Sequence, residues 1–220
     1  MIDLFSRSPL ASANCTLAKG ERLNKIEWVS DTMAPLIIVS GPSGCGKSTI
    51  IHRLLNEQYV PLRLSVSVTT RKPRPGEQAG VDYHYWSVPE FEKAKDAGRF
   101  LEWAQVHTNY YGTLEDDVGP WRAKGVGVVL DIDVQGWEQV MRRCPDAVSV
   151  FVRTASLATL ETRLRGRATE SEDAIQRRLQ TAQIELARAD AYDHQIVNDE
   201  LETAIAEVRT IIASAFAAKQ

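Results

Sequence analysis

The stretch that decides the fold is Gly41-Pro-Ser-Gly-Cys-Gly-Lys-Ser48. It matches the pattern G-x-x-x-x-G-K-[ST] in full, and it lies between an apolar run at 36–40 and a helical pattern. A strand before the loop and a helix after it are the context that the phosphate-binding P-loop requires. Backbone N–H groups of such a loop surround phosphate oxygens, and the helix N-terminus adds partial positive charge. The stretch therefore predicts a nucleotide-phosphate site rather than a chance glycine-rich turn.

Individual residues of this loop have predicted roles in ATP binding. Lys47 is expected to reach the β- and γ-phosphates as a catalytic residue, and the Ser48 hydroxyl is expected to bind Mg²⁺. A second apolar run, 126–130, is followed by Asp131, where P-loop proteins place a metal-binding carboxylate. The alternative is that Asp131 is an ordinary acid in a strand-end turn. The predicted ATP-binding residues of the loop are Gly41, Pro42, Ser43, Gly44, Cys45, Gly46, Lys47, Ser48 and Thr49.

Short apolar runs alternate with helical patterns along the chain from residue 36 onward. Because these runs are almost continuously apolar, they are typical of strands that are covered on both faces. The alternation predicts an α/β fold of the P-loop NTPase type, with a parallel sheet between two helical layers. Capping boxes are predicted from the pairs Ser87/Glu90 and Asp199/Glu202, which have the required spacing. Strands are predicted at 36–40, 126–130, 148–152 and 195–197, and a long helix at 172–190.

Composition and charge exclude several classes of protein. The 220 residues include 26 basic and 29 acidic side chains, and the formal net charge of −3 offers no basic field to nucleic acid. No apolar run approaches the roughly 18 residues that a membrane span needs. Three widely spaced cysteines favour a reducing compartment, and the four histidines have no metal-ligand spacing. We therefore expect a soluble, cytoplasmic protein without nucleic-acid or membrane partners. A homo-oligomer is compatible with the sequence, which predicts no particular state.

Residues 1–33 show no sustained apolar period, and the periodic pattern begins only after Met33. Three interpretations remain open: a disordered tail, an extension upstream of a true start at Met33, or a targeting segment. The last is disfavoured because transit peptides avoid acidic residues. The acidic residues of this segment are Asp3, Glu21, Glu27 and Asp31. The folded domain is therefore expected to cover 34–220.

Residues 66–115 interrupt the alternation with a segment rich in Thr, Arg, Pro, Gly and Tyr, which we expect to form an insert off the main sheet. Arg71 and Arg74 each carry a planar guanidinium group, which can donate two parallel hydrogen bonds to the oxygens of one phosphate. Tyr83 and Tyr111 can each donate one further hydrogen bond. A solvated basic loop is the alternative interpretation of this segment.

Several linked motifs together resemble the guanylate kinase family, from about residue 36 to the C-terminus. Besides the P-loop they are S-V-T-T-R-K-P-R-P-G-E-Q-A-G-V-D-Y at 67–83, E-W-A-Q at 102–105, N-Y-Y-G at 109–112, D-I-D-V-Q-G at 131–136, Gly166-Arg167 with Thr169, and V-N-D at 197–199. The resemblance implies an enzyme that transfers the γ-phosphoryl group of ATP to GMP, with Mg²⁺ as the metal. It also implies three parts, namely a core at 34–65, 116–157 and 180–220, a GMP-binding α+β insert at 66–115, and a short helical lid at 158–179.

The same resemblance implies roles for single residues, one motif position at a time. The implied GMP-binding residues are Ser67, Arg71, Arg74, Glu77, Tyr83, Glu102, Tyr111, Thr113, Asp131 and Asp133. Among them, the residues that would recognise guanine are Ser67, Glu102, Thr113 and Asp133. Glu77 would support the arginines, and Asp131 would orient Arg71, meet Mg²⁺ through water, or do both. Asn198 would approach the adenine. The implied catalytic residues are Lys47, Arg71, Arg163, Arg167 and Arg178.

The residue types suit this reaction. The acceptor oxygen of GMP is already anionic and needs no general base, so the protein has to align two polyanions and neutralise their charge. Two alternatives remain: a non-catalytic guanylate-kinase-like module that binds partner proteins, and a related P-loop kinase that acts on ribose bisphosphate. The intact P-loop argues against the first alternative, and the complete set of guanine-recognising residues argues against the second.

A few positions carry separate expectations. Ala168 stands where the family often has Gly, and Thr113 stands where Ser is frequent. Arg165 and Arg177 are expected to lie on solvated helix faces. For Cys45 the favoured interpretation is a small residue that is tolerated in the loop. The competing hypothesis is an accessible thiol whose alkylation would block ATP binding.

Overall fold

The computed structural model describes residues 33–106, 108–166 and 171–219, and the predictions for the tail, Arg167 and Ala168 lie outside them. The strands, in chain order, are β1 Leu36–Ser40, β2 Leu62–Leu64, β3 Val68–Thr69, β4 His84–Tyr85, β5 Phe100–Val106, β6 Asn109–Leu114, β7 Gly127–Asp131, β8 Val148–Arg153 and β9 His194–Val197. The helices are α1 Lys47–Glu57, α2 Val88–Asp96, α3 Gly119–Ala123, α4 Val134–Arg143, α5 Leu157–Arg165, α6 Glu172–Leu186 and α7 Leu201–Ala217. Short 3₁₀ helices cover Glu115–Asp117 and Ala189–Ala191.

The main sheet has the strand order β2-β7-β1-β8-β9, and all of its pairings are parallel. Strand β1 lies at its centre and is buried along its whole length. Leu36 and Ile38 of this strand face one apolar cluster, whereas Ile37 and Val39 face another. Because successive side chains of a strand point to opposite faces, an uninterrupted apolar run requires cover on both. This arrangement confirms the predicted buried strand.

Helices supply that cover and complete the three layers. On one face, Trp137 and Val140 of α4 pack into the cluster that contains Leu36. On the other face, Ile50 of α1 and Ile205 of α7 pack into the cluster that contains Ile37. The predicted α/β/α architecture with a parallel core is therefore confirmed. Among the described residues, no helix is long and apolar enough to cross a membrane.

A second, mixed sheet with the order β4-β3-β6-β5 is formed entirely by residues between 68 and 114. Helix α2 packs on this sheet, where the ring of Phe91 stacks on Phe100 and on Tyr110 at centroid distances of 4.4 and 5.1 Å. The side chain of Gln139 in α4 ties this unit to the main sheet, because its Nε2 donates to the Trp103 carbonyl at 2.7 Å. This contact fixes strand β5, and with it Glu102, against the core.

Two helix boundaries differ from the predictions. The predicted helix at 172–190 ends at Leu186, and the 3₁₀ helix at Ala189–Ala191 follows it. The capping box at Ser87 and Glu90 is confirmed. The capping box at Asp199 is wrong, because α7 starts after Glu200 without a side-chain cap. Asp199 instead accepts a hydrogen bond from the Ala155 N–H at 3.1 Å, so a tertiary contact occupies the predicted cap.

Candidate active site

The P-loop connects the end of β1 to the start of α1, as the octapeptide predicts. Gly41 has a φ of 139°, and a Cβ at this position would lie 1.9 Å from the carbonyl oxygen of Val152. Only glycine therefore fits directly after β1, because any side chain there would collide with the backbone of β8. The loop curls around the ammonium group of Lys47, which donates to the carbonyls of Gly41 at 2.6 Å and Pro42 at 3.4 Å. The two hydrogen bonds thus hold the Lys47 charge against the backbone at the start of the loop.

A polar cavity of about 310 Å³ opens over this loop. Besides the loop residues, its walls include three acidic side chains, namely Asp131 at the end of β7, Asp133 before α4 and Glu185 in α6. The Ser48 hydroxyl donates to Asp131 Oδ2 at 3.4 Å, so the predicted metal ligands do meet. A hydroxyl and a carboxylate oxygen form the hard donor set that Mg²⁺ prefers. The residues present therefore fit a magnesium ion bound together with a nucleotide.

A second cavity of about 330 Å³ lies beside the first and reaches into the insert. It is lined by Ser67, Tyr83, Glu102, Tyr111, Asp131 and Asp133, together with other residues. Ser43, Asp131 and Asp133 line both cavities, so the two spaces share a wall at the carboxyl end of β7. In α/β sheets, ligands bind at the carboxyl ends of the strands. The structure thus provides two adjoining ligand spaces, one over the P-loop and one against the insert.

Glu102 lines the second cavity and is only 4% exposed. Thr113, opposite it on β6, donates its hydroxyl hydrogen to Glu102 Oε1 at 2.6 Å. On the α4 side, a Cβ at Gly136 would lie 2.7 Å from Glu102 Oε2. Only a residue without a side chain therefore leaves room for the Glu102 carboxyl at the start of this helix. Burial raises the pKa of Glu102 to about 7, and the Asp133 charge adds to this while the Thr113 hydrogen bond opposes it. The result is a buried carboxyl poised to bind donor groups.

Asp133 itself is the N-cap of α4 and accepts a hydrogen bond from the Gly136 N–H at 2.8 Å. The cap explains why this acid directly follows a strand, since it satisfies a free N–H of the helix that begins there. It also keeps the carboxylate beside Glu102, in the wall of both cavities.

Glu77 organises the arginine-rich loop. Its Oε1 accepts from Arg71 Nη2 at 2.8 Å, and its Oε2 accepts from the Arg74 N–H at 2.7 Å and the Tyr85 hydroxyl at 2.8 Å. The Arg71 hydrogen bond, followed by the bond from the Arg74 backbone, lowers the pKa of Glu77 to about 2. Arg71 is thereby held with its guanidinium 5.5 Å from the centre of the Tyr83 ring. These contacts are those expected of a residue that supports the arginines.

The predicted lid residues reach the P-loop from α5 and α6. Arg163 donates through Nη2 to the Asn198 carbonyl at 2.8 Å and through Nη1 to the Cys45 carbonyl at 3.5 Å. Arg178 donates to the Ser43 hydroxyl at 3.1 Å. Arg165 instead forms surface ion pairs with Glu161 and Glu172, in keeping with its expected solvated position. Two of the three implied lid arginines are therefore placed against the loop, and the third, Arg167, lies outside the described residues.

Comparison with known proteins supports the same interpretation. The family model for guanylate kinase matches residues 33–215. The chain belongs to the guanylate kinase family. It is 52% identical to a guanylate kinase of Rubrobacter xylanophilus over 178 residues, which cover 80% of this chain and 92% of that protein. It is 47% identical to a guanylate kinase of Ralstonia nicotianae over 180 residues, which cover 82% of this chain and 81% of that protein. The crystal structure of guanylate kinase from Anaplasma phagocytophilum superposes with a TM-score of 0.69 at 31% identity, covering 84% of this chain and 87% of that one.

In this guanylate kinase family member, several residues that were predicted to bind nucleotide line neither cavity. The Cys45 side chain is fully buried in the apolar cluster with α1 and α7, so the hypothesis of an accessible thiol is wrong. Thr113 is also fully buried, and it contacts Glu102 rather than lining the second cavity. The Arg74 side chain is exposed, and the guanidinium lines neither of the two cavities. Cys45 therefore contributes its backbone to the loop, and Thr113 acts through Glu102.

Two residues of this site do not follow from the sequence motifs. Glu185 of α6 lines the P-loop cavity, and burial raises its pKa while the Lys47 charge opposes that rise. The sequence indicates the position of Glu185 only through its spacing of two helical turns after Arg178, which places both residues on the same helix face. Tyr85 is the third donor to Glu77. No motif indicates this contact, because the two residues lie on opposite sides of the turn in the insert.

Proposed function

We propose that the two adjoining cavities hold ATP and GMP side by side, and that this guanylate kinase family member transfers the γ-phosphoryl group from ATP to GMP. The products are ADP and GDP. The observation that carries this proposal is the shared wall of Ser43, Asp131 and Asp133, because it brings the P-loop cavity into contact with the cavity that contains Glu102. Transfer between two bound nucleotides requires this proximity, together with positive charge that offsets the charge of the phosphates.

Guanine recognition is assigned to Glu102. Guanine presents its N1–H and its 2-amino group as neighbouring donors, and a carboxylate can accept from both. Adenine has a lone pair at N1 and no 2-amino group, so the same buried carboxylate would stay unpaired. A site of this kind can reject the wrong base by as much as about 10⁴-fold. Thr113 holds Glu102 in place, and Ser67 lines the same cavity.

The phosphate of GMP is assigned to the arginine loop. Arg71 is fixed by Glu77 and lies over the ring of Tyr83, which itself lines the second cavity. Tyr111 lines the same cavity and adds a hydroxyl. Arg74 is close enough in sequence to join them, and its exposed side chain is free to turn inward when phosphate binds. A preorganised arginine loses less freedom on binding than a mobile one, which favours phosphate capture.

The acceptor oxygen of GMP is anionic, so we assign no general base. Lys47, Arg163, Arg167 and Arg178 are proposed to neutralise the charge that develops between the two nucleotides, and the loop amides are proposed to hold the ATP phosphates. Ser48 and Asp131 are the residues that would hold Mg²⁺. When bound with ATP, the ion supplies positive charge at the β- and γ-phosphate oxygens.

We further propose a cytoplasmic protein that serves purine nucleotide metabolism by recycling GMP. The state of the cysteines supports the proposed compartment. The two described cysteines are free and buried, as is usual for a protein of a reducing compartment.

The test is an assay of ADP release with ATP, Mg²⁺ and one acceptor at a time. The acceptors are GMP, AMP, UMP and ribose 1,5-bisphosphate. We expect turnover with GMP that exceeds turnover with AMP by at least about 10³-fold, and none without Mg²⁺. Preference for ribose 1,5-bisphosphate would overturn the assignment of the acceptor. Absence of turnover with all four acceptors, in protein that is folded, would favour a non-catalytic binding module.

A further inference from the structure

Asn198 is a buried polar residue that connects the end of β9 to the P-loop. It is 4% exposed, and its Nδ2 donates to the carbonyl oxygen of Cys45 at 2.7 Å. Its own N–H donates to the Arg153 carbonyl at 2.7 Å, which anchors the residue to the neighbouring strand β8. The sheet therefore holds the backbone of Asn198, and the side-chain amide of Asn198 binds the loop backbone.

The hydrogen bond to Cys45 controls one particular peptide plane. In a trans peptide unit the C=O and the following N–H point in opposite directions. The structure has no cis peptide bond among the described residues. When Asn198 holds the Cys45 carbonyl, the N–H of Gly46 is therefore turned to the opposite side of the loop. Gly46 lines the P-loop cavity. Backbone N–H groups at the start of a helix are donors that bind phosphate oxygens.

Gly46 shows how closely the two residues fit. Its φ is 101°, and a Cβ at this position would lie 2.2 Å from Asn198 Nδ2. The glycine of the motif is thus required for two reasons, its left-handed backbone and the space that Asn198 takes. The asparagine amide fills the place that a side chain would need.

Arg163 joins the same contact from α5. Its guanidinium donates to the Asn198 carbonyl at 2.8 Å and to the Cys45 carbonyl at 3.5 Å. The Cys45 oxygen consequently accepts from two donors, Asn198 directly after β9 and Arg163 in α5. Because an oxygen has two lone pairs, both donors can be accommodated, and both restrain the same peptide plane.

We propose that Asn198 is a positioning residue for ATP, which acts by orienting the Gly46 N–H toward the phosphates instead of contacting the adenine. The inference rests on the proposed function only in that ATP is bound by the P-loop. It assigns to Asn198 a role that does not depend on the base of the nucleotide.

The test compares Asn198→Ala with wild type in binding of ADP by calorimetry and of tripolyphosphate by competition against ADP. Alanine removes the donor without burying a charge. We expect the affinity for both ligands to fall by a similar factor of at least about fivefold, with GMP affinity within twofold of wild type. Asn198→Asp keeps the shape and loses the donor, and it should show the same pattern. Asn56→Asp is the matched control for the added charge, because Asn56 is exposed at the far end of α1.

The outcomes separate the possible roles. A loss for ADP without a loss for tripolyphosphate would overturn the proposal in favour of an adenine contact. A parallel fall in ADP affinity, GMP affinity and melting temperature would overturn it in favour of a general structural role. Unchanged ADP affinity in either folded variant, or no competition by tripolyphosphate in wild type, would also contradict it. Failure of GMP to act as the acceptor would refute the proposed function alone, because none of these measurements involves turnover.

Discussion

At the scale of single residues, the proposed selectivity for guanine depends on Glu102. Its carboxyl accepts a hydrogen bond from the Thr113 hydroxyl, and the Glu102 side chain is almost completely buried. A carboxyl in this situation is costly to ionise unless a ligand brings donors to it. The guanine edge brings two. Glu102 is therefore both the recognition group and a titrating group of the site.

We expect Glu102→Gln to lower kcat/KM for GMP by at least about tenfold, because it replaces one acceptor by a donor and removes charge-assisted bonds. The affinity for ATP should change less than twofold. Steady-state kinetics with GMP and AMP measure both effects. Glu92→Gln on the exposed face of α2 is the control for the loss of one charge from the insert. An unchanged GMP efficiency would remove Glu102 from the site.

The raised pKa of Glu102, about 7, predicts a pH dependence of GMP binding. Guanine donors favour the ionised carboxylate, so bound GMP lowers this pKa and binding releases a proton where the free group is protonated. KM for GMP should therefore rise as the pH falls below about 7, by up to about tenfold per unit. The GMP phosphate also titrates near pH 6, so the profile is compared with that of Glu102→Gln. The difference between the two profiles belongs to Glu102, and identical profiles would contradict the prediction.

At the scale of elements, the arginine loop depends on Glu77 for its shape. One carboxylate accepts from the Arg71 guanidinium, the Arg74 backbone and the Tyr85 hydroxyl, and these donors come from both sides of the turn. The loop is thus held by charge-assisted hydrogen bonds, since it has little apolar surface to bury.

We expect Glu77→Gln to raise KM for GMP by about fivefold or more and to lower kcat, because Arg71 loses its charged partner. ATP affinity should stay unchanged, since the P-loop lies in another element. Glu77→Asp keeps the charge but shortens the side chain, so partial recovery is expected in it. Kinetics for both substrates and melting curves check this, and equal effects on ATP and GMP would argue for general unfolding instead.

At the scale of the whole molecule, the start of the domain is secured by Arg122. This arginine is fully buried, its Nε donates to the Ala34 carbonyl at 2.8 Å, and its Nη2 pairs with Asp146 at 2.8 Å. The Ala34 N–H donates back to the Arg122 carbonyl at 3.0 Å. Met33 is almost completely buried as well. The first two described residues are therefore part of the packed domain.

A shortened chain that starts at Met33 should keep full activity and a melting temperature within about 3 °C of the full chain, because it retains these contacts. A chain in which the initiating Met directly precedes Leu36 loses Ala34 and leaves the Arg122 Nε–H buried without its partner. This second chain should melt several degrees lower. Thermal denaturation and kcat/KM are measured on all three. A large loss in the Met33 chain would show that residues 1–32 contribute to stability or catalysis.

What the sequence determined by itself is local. The P-loop, the central strand and the long amphipathic helices follow from motif spacing and from periodicity, because backbone amides and side-chain faces repeat within a few residues. The family motifs also predicted that Glu102 and Asp131 belong to one site, and both residues line the second cavity. Arg71, which the motifs assigned to the same site, lines neither cavity and contacts Glu77 and Tyr83. What only the tertiary structure decided is which groups come together over long separations. Cys45 is turned into the core by α1 and α7, and Glu185 reaches the cavity from a helix packed beside the loop. Asn198 binds the loop 153 residues before it. Contacts of this kind depend on how layers stack and on where buried polar groups find partners, and both are settled only when the whole chain is folded.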